Sequence, residues 1–245
     1  MDRRISRTAI VTGASKRVGR AIATALLADG WSVVAHVHRA GDDVPEGAVS
    51  VAADLAEEDC AERILAAAAG LPPLGLLVNN AARFSEDRLA TLEPASFDSH
   101  MAVNVRAPAL LTQAFATAVG DAGGLVVNLL DAKLAAPNSD YLSYTLSKTA
   151  LAGLTELSAR ALAGQRIRVN GIAPALMLLS DGQDAANFAA MHRFNPLGRG
   201  VEPDDVVAAL RYLISAEAVT GQIITIDGGQ RFWSLPRDVQ FLERQ

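Results

Sequence analysis

Short apolar runs alternate with longer amphipathic runs along the whole chain. Seven of the short runs are rich in Val, Ile and Leu, which is typical of strands buried on both faces of a sheet. The predicted strands are Thr8–Val11, Ser32–His36, Val49–Ala52, Leu74–Val78, Leu125–Leu130, Arg168–Ile172 and Ile223–Ile226. The predicted helices are Val18–Ala28, Ala56–Ala69, Phe97–Val119, Tyr144–Leu162 and Pro203–Ile214.

Strands that alternate with helices predict βαβ units and therefore a parallel sheet. We expect an α/β fold, a Rossmann-type doubly wound sheet of about seven strands with helices on both faces. The chain has 245 residues, no internal repeat and no low-complexity linker, so residues 1–245 are expected to form one domain. Within it, residues 176–197 are expected to form a flap over the substrate, and residues 231–245 a C-terminal tail.

Composition and charge narrow the possible partners. The net charge is −5, from 22 basic and 27 acidic residues, and no basic run is longer than Lys16-Arg17, so nucleic-acid binding is not expected. The apolar stretch Leu65–Val78 is interrupted by glycine and proline, and a membrane span needs about 20 apolar residues. One cysteine, Cys60, permits no internal disulfide, which suits a reducing compartment. We expect a soluble cytoplasmic protein.

The first predicted strand runs into a turn with two glycines and then into a helix. Such a glycine pair is often an ordinary turn, but its place in the first βα unit favours binding of a dinucleotide pyrophosphate. Arg17 stands where a third glycine is usual, and its alternative interpretation is a solvated surface arginine. The cofactor-binding residues predicted here are Gly13, Ser15, Lys16, Arg17, Val18 and Gly19.

The end of the second strand indicates which dinucleotide binds. Enzymes that prefer NAD usually place an acid there, whereas residues 36–39 read His-Val-His-Arg and the next acid is Asp42. Arg39 can pair with a 2′-phosphate, with Lys16 and His38 nearby. We therefore expect NADP(H) as the cofactor. The two histidines share one face of the strand, but no cysteine or acid follows at metal-site spacing, so no metal is expected.

Tyr144 and Lys148 lie four residues apart at the start of a predicted helix, so both project from one face. A free tyrosine has a pKa of about 10, and an ammonium one turn away would stabilise the phenolate and lower that pKa. The pattern alone mostly marks a helix surface. These residues, however, follow the fifth strand, at the edge of the sheet where ligands collect.

Two further residues have open interpretations from residue type alone. Phe84 is equally compatible with a core aromatic and with a ligand contact. Asp131 follows a buried strand, where a carboxylate needs a partner, and hydrogen bonding to loop amides is its structural alternative.

Seven motifs together resemble the short-chain dehydrogenase/reductase family over essentially the whole chain. They are Thr12-Gly13…Gly19, Asp54-Leu55, Asn79-Asn80-Ala81-Ala82, Asn104, Tyr144-x-x-x-Lys148, Pro174 and Asp227-Gly228-Gly229. The resemblance implies that Tyr144 is the proton donor, that Lys148 holds the nicotinamide ribose and lowers the pKa of the tyrosine, and that Asn104 supports a water relay. It also implies cofactor contacts from Asp54, Leu55, Asn80, Ala81, Ala82 and Pro174.

Two departures from the family pattern resemble the pteridine reductases. Asp131 occupies the position of the usual serine, thirteen residues before the tyrosine, and Arg17 replaces glycine. In the pteridine reductases an aromatic residue after the Asn-Asn-Ala turn stacks on the pterin, and Phe84 occupies the matching place. The substrate-binding residues implied are Arg17, Phe84, Asp131 and Tyr144. Ala82 departs from that pattern, because those enzymes place serine there.

The resemblance implies NADPH-dependent hydride transfer to a C=N bond of a pteridine, such as a dihydropterin, biopterin or folate. A carbonyl reductase acting on a ketone or 3-oxoacyl group is the alternative enzyme. A non-catalytic NADPH-sensing protein is the alternative of another class, disfavoured by the intact Asn104, Tyr144 and Lys148. The resemblance further implies a homotetramer built on the fourth and fifth helices, and Phe232 and Trp233 of the tail could contact a neighbour.

Overall fold

One parallel sheet organises the molecule, which the computed structural model describes over residues 7–179 and 184–242. Its seven strands follow the order β3-β2-β1-β4-β5-β6-β7. The strands are β1 (Thr8–Val11), β2 (Ser32–Val37), β3 (Val49–Ala52), β4 (Leu74–Asn79), β5 (Gly124–Leu129), β6 (Ile167–Pro174) and β7 (Ile223–Ile226). The strand order reverses between β1 and β4, which makes their carboxyl ends the switch point where ligands bind in such sheets. The predicted doubly wound fold is confirmed.

Helices cover both faces of this sheet. They are α1 (Arg17–Ala28), α2 (Cys60–Ala66), α3 (Pro94–Met101), α4 (Ala107–Val119), α5 (Leu142–Leu162), α6 (Ala185–Met191) and α7 (Pro203–Ser215). Leu26 of α1 and Leu210 of α7 pack on the face that carries Val11, whereas Phe115 of α4 packs on the face that carries Ile10. Both faces of β1 are therefore buried, which explains its continuous apolar run.

The long helix predicted over Phe97–Val119 is interrupted. A π-helical turn, Ala102–Arg106, joins α3 to α4. Pro108 follows in the first turn of α4 and has no N–H to donate to the carbonyl of Asn104, so the regular hydrogen-bond pattern cannot continue there. The interruption falls on Asn104, one of the predicted catalytic residues.

Two other predicted elements differ from the structure. The helix predicted over Ala56–Ala69 is limited to α2, because the Asp54 carboxylate accepts the Ala56 N–H at 2.8 Å and keeps the preceding residues in a turn. The predicted flap, residues 176–197, contains the short helix α6, which its mixed composition did not indicate. Residues 180–183 of that flap lie outside the described residues.

The described part of the C-terminal tail, residues 231–242, packs against its own chain. Phe241 stacks on Tyr141 with ring centroids 5.8 Å apart. Phe232 and Trp233 keep 70% and 42% of their surface exposed, and their contact with a neighbouring molecule stays a prediction. Across the ranges 7–179 and 184–242, no helix has the length and hydropathy of a membrane span.

A buried polar chain crosses the middle of the sheet to α5. The Asn79 amide donates to Asn128 Oδ1 at 2.8 Å, and the Asn128 amide donates to Thr155 Oγ1 at 2.9 Å. Thr155 in turn donates to the Leu151 carbonyl at 2.8 Å. Buried polar groups are costly unless paired, so this chain fixes the position of α5 against β4 and β5.

Replacing Asn128 with alanine should destabilise the fold. The Asn128→Ala change leaves the buried Asn79 amide without its partner, and we expect a loss of about 1–3 kcal/mol of unfolding free energy. Urea unfolding followed by circular dichroism measures this. Thr117→Ala, on the exposed side of α4, is the control and should stay within about 0.5 kcal/mol. Equal stability of the two variants would contradict the role assigned to the chain.

Candidate active site

A cavity of about 840 Å³ lies at the carboxyl ends of the strands. The turn between β1 and α1 borders one part of it, and the start of α5 together with the C-terminal tail borders another. The predicted residues Lys16, Arg17, Val18, Asn80, Ala82, Phe84, Asp131, Tyr144, Lys148 and Pro174 all line this cavity. The fold therefore brings the predicted phosphate, proton-transfer and substrate groups to one place.

The turn between β1 and α1 requires its two glycines. Gly13 has φ +66°, the left-handed region that glycine enters without strain. A Cβ atom on Gly19 would lie 2.1 Å from the Gly13 carbonyl oxygen, so no other residue fits. Within the described residues, α1 has neither a side-chain cap nor an acid in its first turn. Its N-terminal amides and positive dipole end fit an anionic phosphate.

His36 anchors this turn, a role that the sequence analysis missed. The side chain is 2% exposed; its Nδ1 accepts the Gly13 N–H at 3.2 Å, and its Nε2 lies 3.0 Å from the Ala53 carbonyl. An Nε2–H tautomer satisfies both bonds. Burial lowers the pKa of His36, which keeps the ring neutral. Both ring nitrogens are thus engaged in protein hydrogen bonds.

The Asn-Asn-Ala turn is tied to the same place. The Asn80 amide donates to the carbonyls of Thr12 and Gly13 at 2.8 and 3.2 Å. The Thr12 hydroxyl oxygen accepts the backbone N–H groups of Asn80 and Ala81 at 2.9 and 3.0 Å. Ala82 follows as an exposed residue on the cavity surface. These bonds hold the two turns that the resemblance assigns to the cofactor at a fixed separation.

The remaining predicted cofactor residues occupy the carboxyl ends of β2 and β3. His38 and Arg39 are exposed just beyond β2. The Arg39 backbone N–H donates to Asp42 Oδ2 at 3.3 Å, while its guanidinium has no partner among the residues that are described. Asp54 is partly exposed and Leu55 is buried after β3. Ser15 is partly exposed in the first turn.

Arg17 links the phosphate turn to the flap. Its guanidinium donates to the carbonyls of Leu179 and Leu178 at 2.9 and 3.3 Å. Its φ of +55° lies in the left-handed region, which costs a non-glycine residue about 1–2 kcal/mol. Arg17 is exposed and contacts two backbone carbonyls of the flap, and its predicted contact with a substrate stays a prediction.

The catalytic candidates meet at the start of α5. The Tyr144 hydroxyl donates to Asp131 Oδ2 at 2.9 Å, and Asp131 Oδ1 accepts the Lys133 N–H at 2.8 Å. The second bond is the loop-amide contact weighed as the structural alternative for Asp131, and the structure shows it beside the tyrosine contact. The Lys148 ammonium donates to the Leu129 carbonyl at 2.6 Å and lies 5.7 Å from the Tyr144 ring centre.

Burial controls the ionisation of these three groups. Burial raises the pKa of Asp131, and burial together with the Asp131 carboxylate raises the pKa of Tyr144 well above 10. Burial lowers the pKa of Lys148 to about 8. Desolvation and the adjacent acid outweigh any lowering of the Tyr144 pKa by Lys148 in this arrangement, and the role of Lys148 stays a prediction. The shifts move both groups toward their protonated forms and make Tyr144 a weaker acid than a free tyrosine, so the carboxyl hydrogen-bonded to it is the stronger acid of the pair.

Asn104 connects the loop after β4 to α5. Its Oδ1 accepts the Arg83 N–H at 2.7 Å, and its amide donates to the Arg83 carbonyl at 3.0 Å and to Ser147 Oγ at 2.8 Å. Ser147 donates to the Tyr144 carbonyl at 2.7 Å. Asn104 thus positions the segment before Phe84 relative to Tyr144, and the water relay that the resemblance implies stays a prediction.

Phe84 faces the cavity and is 47% exposed, so the interpretation as a core aromatic is wrong. Its ring stacks on Tyr141 at 4.4 Å with an interplanar angle of 22°, and meets Tyr144 at 4.8 Å and 90°. Tyr141 covers one face of Phe84. A substrate ring can therefore stack only on the opposite face.

Asp87 is another residue that the sequence analysis missed. It is 5% exposed, and its carboxylate accepts the Ser143 N–H at 3.0 Å and the Ser143 hydroxyl. The Asp87 carbonyl also accepts the Leu142 N–H at 3.2 Å. These bonds satisfy the first donors of α5 and set the height of Tyr144. No sequence motif marks Asp87, because it lies in an irregular loop 55 residues before the helix.

Comparison with known proteins identifies relatives of this arrangement. A family model described as enoyl-(acyl carrier protein) reductase matches residues 13–231. Pteridine reductase 1 of Leishmania tarentolae is 32% identical over 90% of this chain and 95% of its own length. The L-xylulose reductase of Bos taurus is 34% identical over 94% of this chain and 98% of its own.

A solved structure extends the comparison to three dimensions. FolM alternative dihydrofolate reductase 1 from Brucella canis, complexed with NADP, superposes with a TM-score of 0.88 and 36% sequence identity. The match covers 95% of this chain and 97% of that one. The same fold thus accommodates NADP in a protein with more than a third of its residues identical.

The buried His36 should make stability depend on pH. Its pKa is lowered in the folded state from about 6.5, so the unfolded chain binds more protons below that pH. Stability should therefore fall as the pH drops below about 6.5. The His36→Gln variant should lose this part of the slope in urea unfolding between pH 5 and 8. The exposed His38→Gln is the control, and a variant slope equal to that of the unmodified protein would contradict the assignment.

Proposed function

The chain belongs to the short-chain dehydrogenase/reductase family and is an NADPH-dependent reductase, and we propose that it reduces a C=N bond of a pteridine. The observation that carries this proposal is the contact between the Tyr144 hydroxyl and the Asp131 carboxyl at 2.9 Å. A serine hydroxyl in that position would serve a carbonyl oxygen. A carboxyl with a raised pKa instead offers a proton to a ring nitrogen.

The cofactor fits the residues that the fold places around the first turn. NADPH, when bound, supplies the hydride. Gly13 and Gly19 allow the backbone to approach the pyrophosphate, and the N-terminal amides of α1 can donate to it. Arg39 carries a guanidinium with a flexible reach beyond β2, which supports a contact to the 2′-phosphate. Lys148 is proposed to hold the nicotinamide ribose.

Side chains of the protein would supply the proton that the reduction requires. Reduction of a C=N bond adds a hydride to carbon and a proton to nitrogen, so one proton must come from the enzyme for each turnover. Tyr144 and Asp131 share a hydrogen bond, and burial raises the pKa of each. Tyr144 would donate to the substrate while Asp131 passes a proton to Tyr144 or donates directly. The Lys133 N–H keeps the carboxyl oriented through its second oxygen.

The aromatic and polar groups of the cavity indicate where the substrate ring would bind. Phe84 offers one open face of its ring, close to Tyr144, which supports stacking of a flat bicyclic ring. Arg17 would support that seat by holding the flap carbonyls rather than by touching the ring. Two relatives, pteridine reductase 1 and FolM alternative dihydrofolate reductase 1, are named for the reduction of pteridines and of dihydrofolate, which supports this class of substrate.

Carbonyl reduction is the second candidate. The L-xylulose reductase relative covers nearly the whole chain at 34% identity. Ala82 provides no hydroxyl for a pterin, and the flap begins with the apolar Leu176 and Met177 on the cavity wall. A panel of dihydropterins, dihydrofolate, 2,3-butanedione and L-xylulose, with NADPH oxidation followed at 340 nm, separates the two. Turnover of ketones without turnover of any pterin would refute the pteridine proposal.

We also propose that the protein is a cytoplasmic homotetramer. Large apolar side chains remain exposed on the single chain, at Leu157 of α5, Tyr212 of α7 and Ile223 of β7. Burial of such side chains is a usual driving force for association. Light scattering after gel filtration gives the molar mass that tests the assembly.

Changing Asp131 to asparagine should separate the two candidates. Asp131→Asn keeps the shape of the side chain and removes its acid, so pterin turnover should fall about 10²-fold or more while NADPH binding is retained. Steady-state kinetics with a dihydropterin and fluorescence titration with NADPH measure the two effects. Asp131→Ser should also abolish pterin reduction. Wild-type rates for Asp131→Asn across the pH range would make Asp131 structural and remove the main support for the proposal.

Changing Arg39 to aspartate should alter the cofactor preference. Loss of the charged hydrogen bonds to the 2′-phosphate should weaken NADPH binding by roughly 1–3 kcal/mol. NADH, which lacks that phosphate, is the internal control and should be affected much less. Dissociation constants for both cofactors give the comparison. If both weaken equally, Arg39 does not contact the 2′-phosphate.

A further inference from the structure

Residues 235–242, within the C-terminal tail, form part of the wall of the cavity. They belong to the same chain as Tyr144 and Asp131. Their lining side chains are Leu235, Arg237, Asp238, Val239, Gln240 and Phe241.

A buried acid anchors this segment. Asp140 is 1% exposed, and its Oδ2 accepts hydrogen bonds from Arg237 Nε at 2.7 Å and from the Asp238 N–H at 2.9 Å. Arg88 lies 3.7 Å from its other oxygen. Burial alone would raise the pKa of Asp140, but these donors outweigh burial and lower it. The carboxylate is therefore charged, and its ion pairs hold the tail in place.

Tyr141 brings the tail into contact with the catalytic end of the cavity. Its hydroxyl donates to Gln240 Oε1 at 2.5 Å, and its ring lies between Phe84, at 4.4 Å, and Phe241, at 5.8 Å. Burial and the charge of Asp238 raise the pKa of Tyr141 to about 12, so the hydroxyl remains a donor. A substrate on the opposite face of Phe84 would have the rings of Phe84 and Tyr141 between it and Phe241, but Asp238 and Gln240 line the same cavity.

Asp238 gives this wall its charge. Its side chain is 22% exposed, its Oδ1 accepts the Gln240 N–H at 3.2 Å, and its Oδ2 lies 3.5 Å from Lys133 Nζ. Lys133 also donates to the Asp140 carbonyl at 2.5 Å. The negative charge of Asp238 adds to burial in raising the pKa values of Asp131 and Tyr144, which places it within electrostatic range of the reacting groups.

The cations on the same side of the cavity are already paired. Lys133 pairs with Asp238, Arg237 with Asp140 and Arg231 with Asp227. Glu86 also lines the cavity, and its carboxylate pairs with Arg88 at 3.1 Å. Among the residues that the structure describes, this wall thus offers an incoming carboxylate no cation without a partner. A carboxylate here would meet Asp238 or have to break an existing pair.

We propose that Asp238 is a specificity-determining residue that admits substrates with neutral polar side chains and disfavours substrates with a carboxylate. As applied to pterin substrates, this inference rests on the proposed function. It predicts that the enzyme prefers unconjugated dihydropterins to dihydrofolate, whose glutamate carries two carboxylates. Gln240 and the carboxylate oxygens of Asp238 supply acceptors for the hydroxyl groups of a neutral side chain.

The Asp238→Asn variant tests the charge directly. Asparagine keeps an oxygen acceptor for the Gln240 N–H, so the tail should stay in place. The ratio of kcat/KM for dihydrobiopterin to that for dihydrofolate should fall about fivefold, the effect of two unit charges about 4 Å apart in water. KM for dihydrobiopterin should stay within about twofold of the unmodified value.

Two control variants separate charge from structure. Glu217→Gln makes the same change of net charge on the exposed turn before β7, at the opposite edge of the sheet from the cavity, and should leave the ratio unchanged. Phe241→Ala loosens the tail without altering charge and should affect both substrates alike. A ratio for Asp238→Asn equal to that of the unmodified enzyme would overturn the inference, as would an equal change for Phe241→Ala.

The experiment distinguishes failure of the proposed function from failure of the role proposed for Asp238. If neither pterin is turned over, the pteridine proposal is refuted, and the same variants are assayed with a neutral and an anionic ketone, 2,3-butanedione and 2-oxobutanoate. A fall in the neutral-to-anionic ratio for Asp238→Asn alone supports the role of Asp238 with either substrate class. No change in that ratio overturns it.

Discussion

Helix α5 must be held at one rotation and one height against the sheet if Tyr144 and Lys148, which project from its first turns, are to serve as the proposed catalytic pair. Four sets of hydrogen bonds supply this constraint. Asp87 binds the first turn at Ser143, Asn104 binds Ser147, and the Lys148 ammonium donates to the Leu129 carbonyl. Deeper in the sheet, the buried asparagine chain ends on the same helix. Each bond is modest in net free energy, but breaking one leaves a buried polar group unpaired.

Most of the fold could be predicted from the sequence, because the signals are local. Seven short apolar runs and five amphipathic ones have the periods of buried strands and surface helices. The π-helical turn at Ala102–Arg106 was missed because the apolar pattern continues through it, and Pro108 acts only through one absent N–H. Helix α6 was missed because a seven-residue helix contains less than two turns of pattern.

The candidate site, like the fold, contains residues that the sequence predicts and residues that it does not. Glycines, Tyr144 and Lys148 carry their chemistry at fixed spacings, so a single sequence contains the signal. His36, Asp87 and Asp140 act on partners 17 to 98 residues away, and no spacing rule reports such contacts before the chain is folded. The upward shift of the Tyr144 pKa was missed for a related reason, since it depends on burial in the folded chain and on Asp131, which the fold brings against the tyrosine hydroxyl.

The left-handed backbone of Arg17 shows how the two halves of the site depend on each other. Glycine would adopt φ +55° without strain, so arginine at this position lowers the free energy of unfolding unless contacts of its side chain offset the strain. Its guanidinium makes two hydrogen bonds to flap carbonyls, which gives the phosphate turn a direct mechanical connection to the substrate side of the cavity. Because Arg17 is exposed, these bonds compete with water and are individually weak, so they connect the phosphate turn to Leu178 and Leu179 without fixing one to the other.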